Sequence, residues 1–596
     1  MKRKLLSSLA LLLFIAGACN NASEKKSSSA NMKPISDFFE AYYNEHNRLF
    51  PMGATSNGDN RFNDLFPDDI SDAYRDTLKH FFQSYLDSLN TYDRAALTEN
   101  DQTSYDILKW DLQMAIDGYK FNDHLMPINQ FWSATLTFPQ YGSGQGNQPF
   151  KTVKDYDNFL KRIDGFAAWC TTAVDNMKKG IANGEVYPKI LMERVLPQMK
   201  SMIVTDVKKS IFYMPVSDMP KEIAANDHVR LDSAYQNSIR MKIVPAYQTL
   251  YDFIKDEYIP KCRATAGISD IPNGKEYYNY LIKFWTTTSM TADEVFELGQ
   301  SEVNHLRKEM EKIKDGAGFK GDLKAFFTYL NKDKKFFPFN SAKEVLDSFE
   351  NIHSKMQPQL NKLFDVVPRT KFEIRQTEKF REASASAEYN QGTADGTRPG
   401  IFYVPVPDAK KFNTFAMEDL FLHEAIPGHH YQISLQQEND SLPKFRRFTW
   451  YGAYGEGWAL YTESLGKELG LYTDPVQYFG ALSEEMHRAI RLVVDAGMHT
   501  KGWTREQAIK FSLENEGESE EAITSEVERY MAIPGQALSY KIGQLKIREL
   551  RAKAEKELGA KFNIAKFHDA VLNNGCLPLA VLEMKIDKWI QLQLKK

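Results

Sequence analysis

The stretch LHEAIPGHHYQ, Leu422 to Gln432, places three histidines and a glutamate between positions 423 and 430. Neutral imidazoles hold a divalent ion through a ring nitrogen, and a carboxylate beside them can take a proton from water. His423 and Glu424 begin the spacing H-E-x-x-H, in which two histidines four residues apart share one helix face, separated by a rise of about 6 Å. The second histidine would fall at position 427, which is Pro427. His429 and His430 come later, about 9 Å and 10.5 Å along an ideal helix from His423. On a straight helix neither could share an ion with His423. A helix-interior proline, however, removes a hydrogen bond and kinks the helix, and Gly428 reaches backbone angles closed to other residues. The IPG segment is therefore expected to form a two-residue bulge that returns a later histidine, His429 or His430, to the ion.

A further ligand must come from another segment. Glu456 and Glu463 in YGEGWALYTESLG are seven residues apart, on one face of a helix. They could lie on a solvated face, but the apolar GWALY between them argues for burial.

The elements that would hold these residues are mostly helices. YRDTLKHFFQSYLDSL, EVFELGQSEVNHLRKEMEKIKD and NSAKEVLDSFENIHSKMQPQLNKLF repeat apolar residues every three or four positions. Thr291 precedes acidic first-turn residues, a helix-start signal. NIAKFHDAVLNNGCLPLAVLEMKIDKWIQLQL predicts two helices around an Asn-Gly turn. Strands are expected only in TKFEIRQTE and GIFYVPVP, which flank the loop SASAEYNQGTADGTRPG; a short antiparallel sheet just before the histidine segment follows. No Ser/Gly/Pro-rich linker divides the chain after residue 35. The expected fold class is therefore mainly α: a large two-lobed helical body with a central cleft, residues 35–596 forming a single domain.

The N-terminus reads as a leader. MKRKLLSSLALLLFIAGAC has a basic start, a short apolar run and small residues before Cys19. Residues 1–18 fit a lipoprotein signal peptide, Cys19 the lipidated residue, and residues 19–34 a polar flexible tether. The chain is then an exported bacterial lipoprotein of the cell envelope, meeting the membrane only through its anchor. Cys170, Cys262 and Cys576 lack C-x-x-C spacing, so a cysteine metal site is not expected. A net charge of -4 in 596 residues gives no footprint for nucleic acid.

The segments HEAIPGHHYQ, GEGWALYTE, RLVVDAGMHTKGWTREQA and RYMAIPGQALSYKIG, with TSNGDNRFNDLFPD near the start, resemble a bacterial family known as domain of unknown function 885. The resemblance covers nearly the whole mature chain. That family in turn resembles the helical gluzincin zinc metallopeptidases of the thimet oligopeptidase, angiotensin-converting enzyme and carboxypeptidase Taq type. Those enzymes carry an unbroken H-E-x-x-H, from which this chain departs by two residues. The resemblance implies Zn²⁺ held by His423, His429 and Glu456, with His430 as the reserve ligand and Glu463 bracing a histidine. It implies Glu424 as general base, taking a proton from zinc-bound water and passing it to the leaving amine. Tyr540 would be the oxyanion donor, with Tyr530 as its alternate or as a substrate contact, and His499 a donor facing substrate. Arg398 and Arg491 would meet a peptide carboxylate. The implied activity is hydrolysis of peptide (amide) bonds in short peptides outside the cytoplasm. The alternative is a catalytically inactive, lipid-anchored peptide- or glycan-binding protein on the same fold.

Overall fold

The computed structural model describes residues 33–377, 382, 386–393, 396 and 398–596. The leader, Cys19 and most of the tether lie outside them. The protein is mainly α, with one small sheet. Buried apolar side chains form one continuous cluster that runs from Ile35 to Ile590.

The periodic segments are helices at Asp72–Leu89, Ala292–Gly316 and Ala342–Leu363. Thr291 opens the second with a full capping box: its hydroxyl accepts from the Glu294 N–H, and Glu294 reaches back to the Thr291 N–H. The C-terminal pair is Ile564–Leu572 and Leu579–Leu594, with Gly575 at φ +68 in the turn. Among the described residues no helix is long and apolar enough to cross a membrane. Cys170, Cys262 and Cys576 are free thiols.

The sheet departs from expectation. β1 (Phe372–Gln376) and β3 (Gly400–Val404) are the two expected strands, but they run parallel, Phe372 opposite Gly400. A third strand, β2 (Glu388–Asn390), lies inside the segment expected to be loop and pairs antiparallel with β3, Tyr389 opposite Phe402. The order β1-β3-β2 explains the difference. The connection supplies β3's antiparallel neighbour itself, and β1 takes the other edge in the parallel sense.

Two helix contacts set the interior. Ala292–Gly316 packs along Pro475–Thr500, and Gly452–Glu463 packs along Ser539–Leu558. In the second pair the backbones meet at Gly457 and Gly543, with no room for a β-carbon on either. Lys541, fully buried, ties the Ser539–Leu558 helix to Glu485 at 2.6 Å and Glu302 at 3.0 Å.

Candidate metal centre

The IPG segment does more than bend a helix. One helix, Met417–Glu424, ends at Glu424, and a second, His429–Glu438, begins at His429. Between them Ala425 lies at φ -106, ψ -107, the Ile426–Pro427 bond is cis, and Gly428 lies at φ -72, ψ -123. A β-carbon on Gly428 would collide with the carbonyl oxygens of Leu422 and His423. The neighbouring Gly452–Glu463 helix holds the joint: the Trp458 indole N–H donates to the Pro427 carbonyl at 2.9 Å, and the Thr462 hydroxyl to the Leu422 carbonyl at 2.9 Å.

This joint brings His423 and His429 together, their rings 4.9 Å apart and nearly perpendicular. The Nε2 atom of each lies 3.5 Å from Glu456 Oε2. Donor atoms of the three residues all fall within 4.8 Å of one another. A tetrahedral ion with bonds of about 2.0–2.1 Å sets its ligand atoms roughly 3.4 Å apart. Two imidazoles and one carboxylate at this spacing fit a Zn²⁺ site with a free coordination position.

Behind His423, Glu463 Oε1 accepts from Nδ1 at 2.6 Å. That bond assigns a proton to Nδ1, so Nε2 is the nitrogen that faces Glu456. Burial alone would lower the His423 pKa, but the Glu456 and Glu463 carboxylates reverse this and raise it to about 10. Burial pushes Glu456 upward, yet His423 and His429 hold it well below the usual carboxylate range. The pocket thus favours positive charge, which a divalent cation could supply in place of protons. His429 Nδ1 is buried without a partner, and its ring lies 5.8 Å from that of half-exposed Trp450.

His430, the reserve ligand, belongs to the sheet. Its Nδ1 pairs with the Tyr389 hydroxyl at 3.0 Å and sits 3.4 Å from Ser434 Oγ. Its ring packs on Phe372 at 5.1 Å, and burial lowers its pKa to about 4. One step along a helix turns a side chain by about 100°, so adjacent histidines serve different neighbours.

Glu424 is partly exposed, and its Oε2 accepts from the Tyr389 N–H of β2 at 3.0 Å. Tyr540, also partly exposed, has its pKa raised by burial and then by the charge of Glu456. Its ring carries the Arg491 guanidinium 4.5 Å from the centroid. Tyr540 thus lies between the charge of Glu456 and the Arg491 guanidinium.

Three further expected contacts have the following partners. His499 is fully buried; Nδ1 accepts from the Ile268 N–H at 2.9 Å, Nε2 donates to the Tyr530 carbonyl at 3.1 Å, and burial lowers its pKa to about 3. Both ring nitrogens are spent on backbone, so it ties segments together and does not face a substrate. Tyr530 is buried and supports Arg491: its hydroxyl donates to Glu526 Oε2 at 2.8 Å and accepts from Arg491 Nε at 3.2 Å. Arg398 is exposed on the β2–β3 loop, where its Nη2 donates to the Gln391 carbonyl at 3.1 Å.

Sequence reasoning missed Tyr389, which links Glu424 to His430, and the Glu526–Arg529 pair beside Arg491. Glu526 and Arg529 lie at (i, i+3) in SEVERYMAIPGQALSY and meet at 2.8 Å. That spacing was readable, but it is common on solvated helix faces. Tyr389 gave no signal, because its role depends on an unexpected strand.

The fold and site define a mainly helical protein with an interrupted histidine segment that converges with a glutamate from a second helix. The chain belongs to the family described as bacterial protein of unknown function (DUF885), whose pattern it matches over residues 51–586. It is similar to the crystal structure of a candidate lipoprotein from Colwellia psychrerythraea: 26% identity, TM-score 0.87, over 94% of this chain and 99% of that one. A structure of a candidate lipoprotein of unknown function from Shewanella oneidensis shares the fold at 19% identity and TM-score 0.73, over 93% and 99%. Comparison with curated proteins gives no match.

Proposed function

We propose that the protein is a zinc-dependent hydrolase of amide bonds in short peptides, working outside the cytoplasm from an N-terminal lipid anchor. The observation that carries this reading is the convergence of His423 Nε2, His429 Nε2 and Glu456 Oε2, with Glu424 directly after the first ligand. The lipoprotein descriptions of similar structures and the sequence around Cys19 support the location.

Bound Zn²⁺ would supply a Lewis acid that polarises a carbonyl and makes water more acidic. The chain's own groups do the rest. Glu424, one oxygen fixed by the Tyr389 N–H, takes a proton from the attacking water and delivers it to the leaving amine. Tyr540 donates to the carbonyl oxygen as negative charge develops there. The His423–Glu463 bond holds the first ligand in one tautomer.

The test is metal content and turnover together. Purified protein should hold about one Zn²⁺ per chain, and Glu424→Gln should keep the metal and fold while losing cleavage of a short-peptide mixture. Metal-loaded wild type that cleaves none of the mixture would reject the reading in favour of an inactive binding protein.

A further inference from the structure

Beside Tyr540, Arg491 is a buried cation with more donors than acceptors. It is 7% exposed, and its Nη1 is buried with no partner. Its Nε donates to the Tyr530 hydroxyl and its Nη2 to Glu526 Oε2 at 3.0 Å. Glu526 is heavily shared. The same Oε2 accepts from Arg529 Nη2 at 2.8 Å and Tyr530 at 2.8 Å, and lies 3.5 Å from His487 Nε2. His487 has its own carboxylate in Glu516, at 2.5 Å, and Arg488 has Glu484 one turn back. Glu518 feels the charges of His487 and Arg488. Arg491 and Arg529 thus share one hydrogen-bonded carboxylate, Glu526, while Glu484 acts on Arg491 through its charge and His487 Nε2 lies 3.2 Å from Arg491 Nη2.

A buried guanidinium nitrogen without an acceptor is unfavourable in a resting protein and calls for a ligand. The surrounding wall is open to water: Glu526 is 28%, Arg529 18% and His487 15% exposed at their side chains. Tyr540 joins this wall to the candidate metal centre: its ring lies under Arg491, and its helix packs on the helix of Glu456 where Gly457 meets Gly543. The planar fork of an arginine matches a carboxylate with two parallel N–H donors.

The geometry points to a carboxylate-binding subsite at Arg491 and Arg529, so that the preferred substrates are peptides carrying a free carboxylate close to the bond that is cut. This rests on the hydrolytic reading of the same site. The carboxylate is either the peptide's own C-terminus, which makes the activity trimming from that end, or an acidic side chain.

Four probes separate these sources: acetyl-Ala-Ala-Ala as free acid and as amide, and the amides of acetyl-Ala-Ala-Glu and acetyl-Ala-Ala-Gln. Binding to the zinc-loaded Glu424→Gln protein is measured by calorimetry, and turnover with wild type. The free acid should bind about 10- to 100-fold more tightly than its amide, and Arg491→Gln should remove the difference. If Arg491→Gln fails to fold, Arg529→Gln should narrow the gap. Discrimination only within the Glu/Gln pair assigns the site to an acidic side chain. Equal binding of acids and amides, or no measurable binding of any probe, overturns the subsite. Acid-selective binding without turnover keeps it and rejects hydrolysis instead; turnover without acid preference does the reverse.

Discussion

Gly457 and Gly543 are in direct backbone contact: a β-carbon on Gly457 would lie 2.5 Å from the Gly543 Cα and one on Gly543 would strike the Ala453 carbonyl oxygen. Glu456 precedes the first glycine, and Tyr540 lies about one turn before the second. Gly543→Ala should therefore force the two helices apart, costing about 1–3 kcal/mol, and weaken zinc binding as Glu456 moves. Denaturant unfolding alongside a zinc titration reads both; unchanged stability would refute the close packing.

The adjacent histidines should separate cleanly by substitution. His429→Ala should lose stoichiometric zinc, as should His423→Ala. His430→Ala should keep it and instead lose about 1–3 kcal/mol of stability, since it removes the contacts with Tyr389 and Phe372. Elemental analysis decides between them, and zinc loss in His430→Ala alone would reverse the ligand assignment.

Glu463 would act on a metal through His423, whose Nδ1 it holds at 2.6 Å. Glu463→Gln should leave one zinc per chain at saturation but weaken its affinity about 10- to 100-fold, the usual scale for such supports. Competition with a chromogenic chelator measures this, and an unaltered dissociation constant would count against the bracing role.

Tyr540→Phe removes one hydroxyl from the site wall and leaves the ring under Arg491. If that hydroxyl stabilises developing charge, kcat on a cleaved peptide should fall by about 100-fold or more with KM little changed. A fall confined to KM would make Tyr540 a binding residue.

Asp495 gives a pH signature away from the metal. It is fully buried, accepts from the Tyr278 hydroxyl at 2.5 Å and the Gly535 N–H at 3.1 Å, and faces the charge of Arg529, with His499 one turn on. Burial raises its pKa from 3.8 to about 7. Between those values the native state holds a proton that the unfolded chain has released. Stability attributable to Asp495 therefore falls as pH rises through that window, by up to about 1.4 kcal/mol per unit, and levels off above it. Asp495→Asn cannot ionise, so its stability relative to wild type should improve between pH 5 and pH 8. Parallel denaturation curves at the two pH values would contradict the raised pKa.

Much of this was written in local patterns. Helices announced themselves by apolar spacing and by caps such as Thr291–Glu294, and the convergence of His423, His429 and Glu456 was legible from spacing together with the resemblance. What was hidden depended on partners distant in sequence. Whether His429 or His430 faces Glu456 is fixed by where the second helix restarts, and Trp458 and Thr462 set that from another helix. Tyr389 could not be singled out without knowing that β2 pairs with β3. His499 resembled a substrate donor because its burial between the Ile268 N–H and the Tyr530 carbonyl is a tertiary fact.

The interruption at Ala425–Gly428 also changes what an ion would do to the fold. On one unbroken helix, two histidines bind an ion without joining anything new. Here the three candidate ligands come from three separate helices, Met417–Glu424, His429–Glu438 and Gly452–Glu463. A cation would act as a cross-link, and mass action would add its binding energy to the folded state, about 4 kcal/mol at a free concentration 1,000 times the dissociation constant. Chelation should then lower the melting temperature and loosen this joint first, before the helices that surround it.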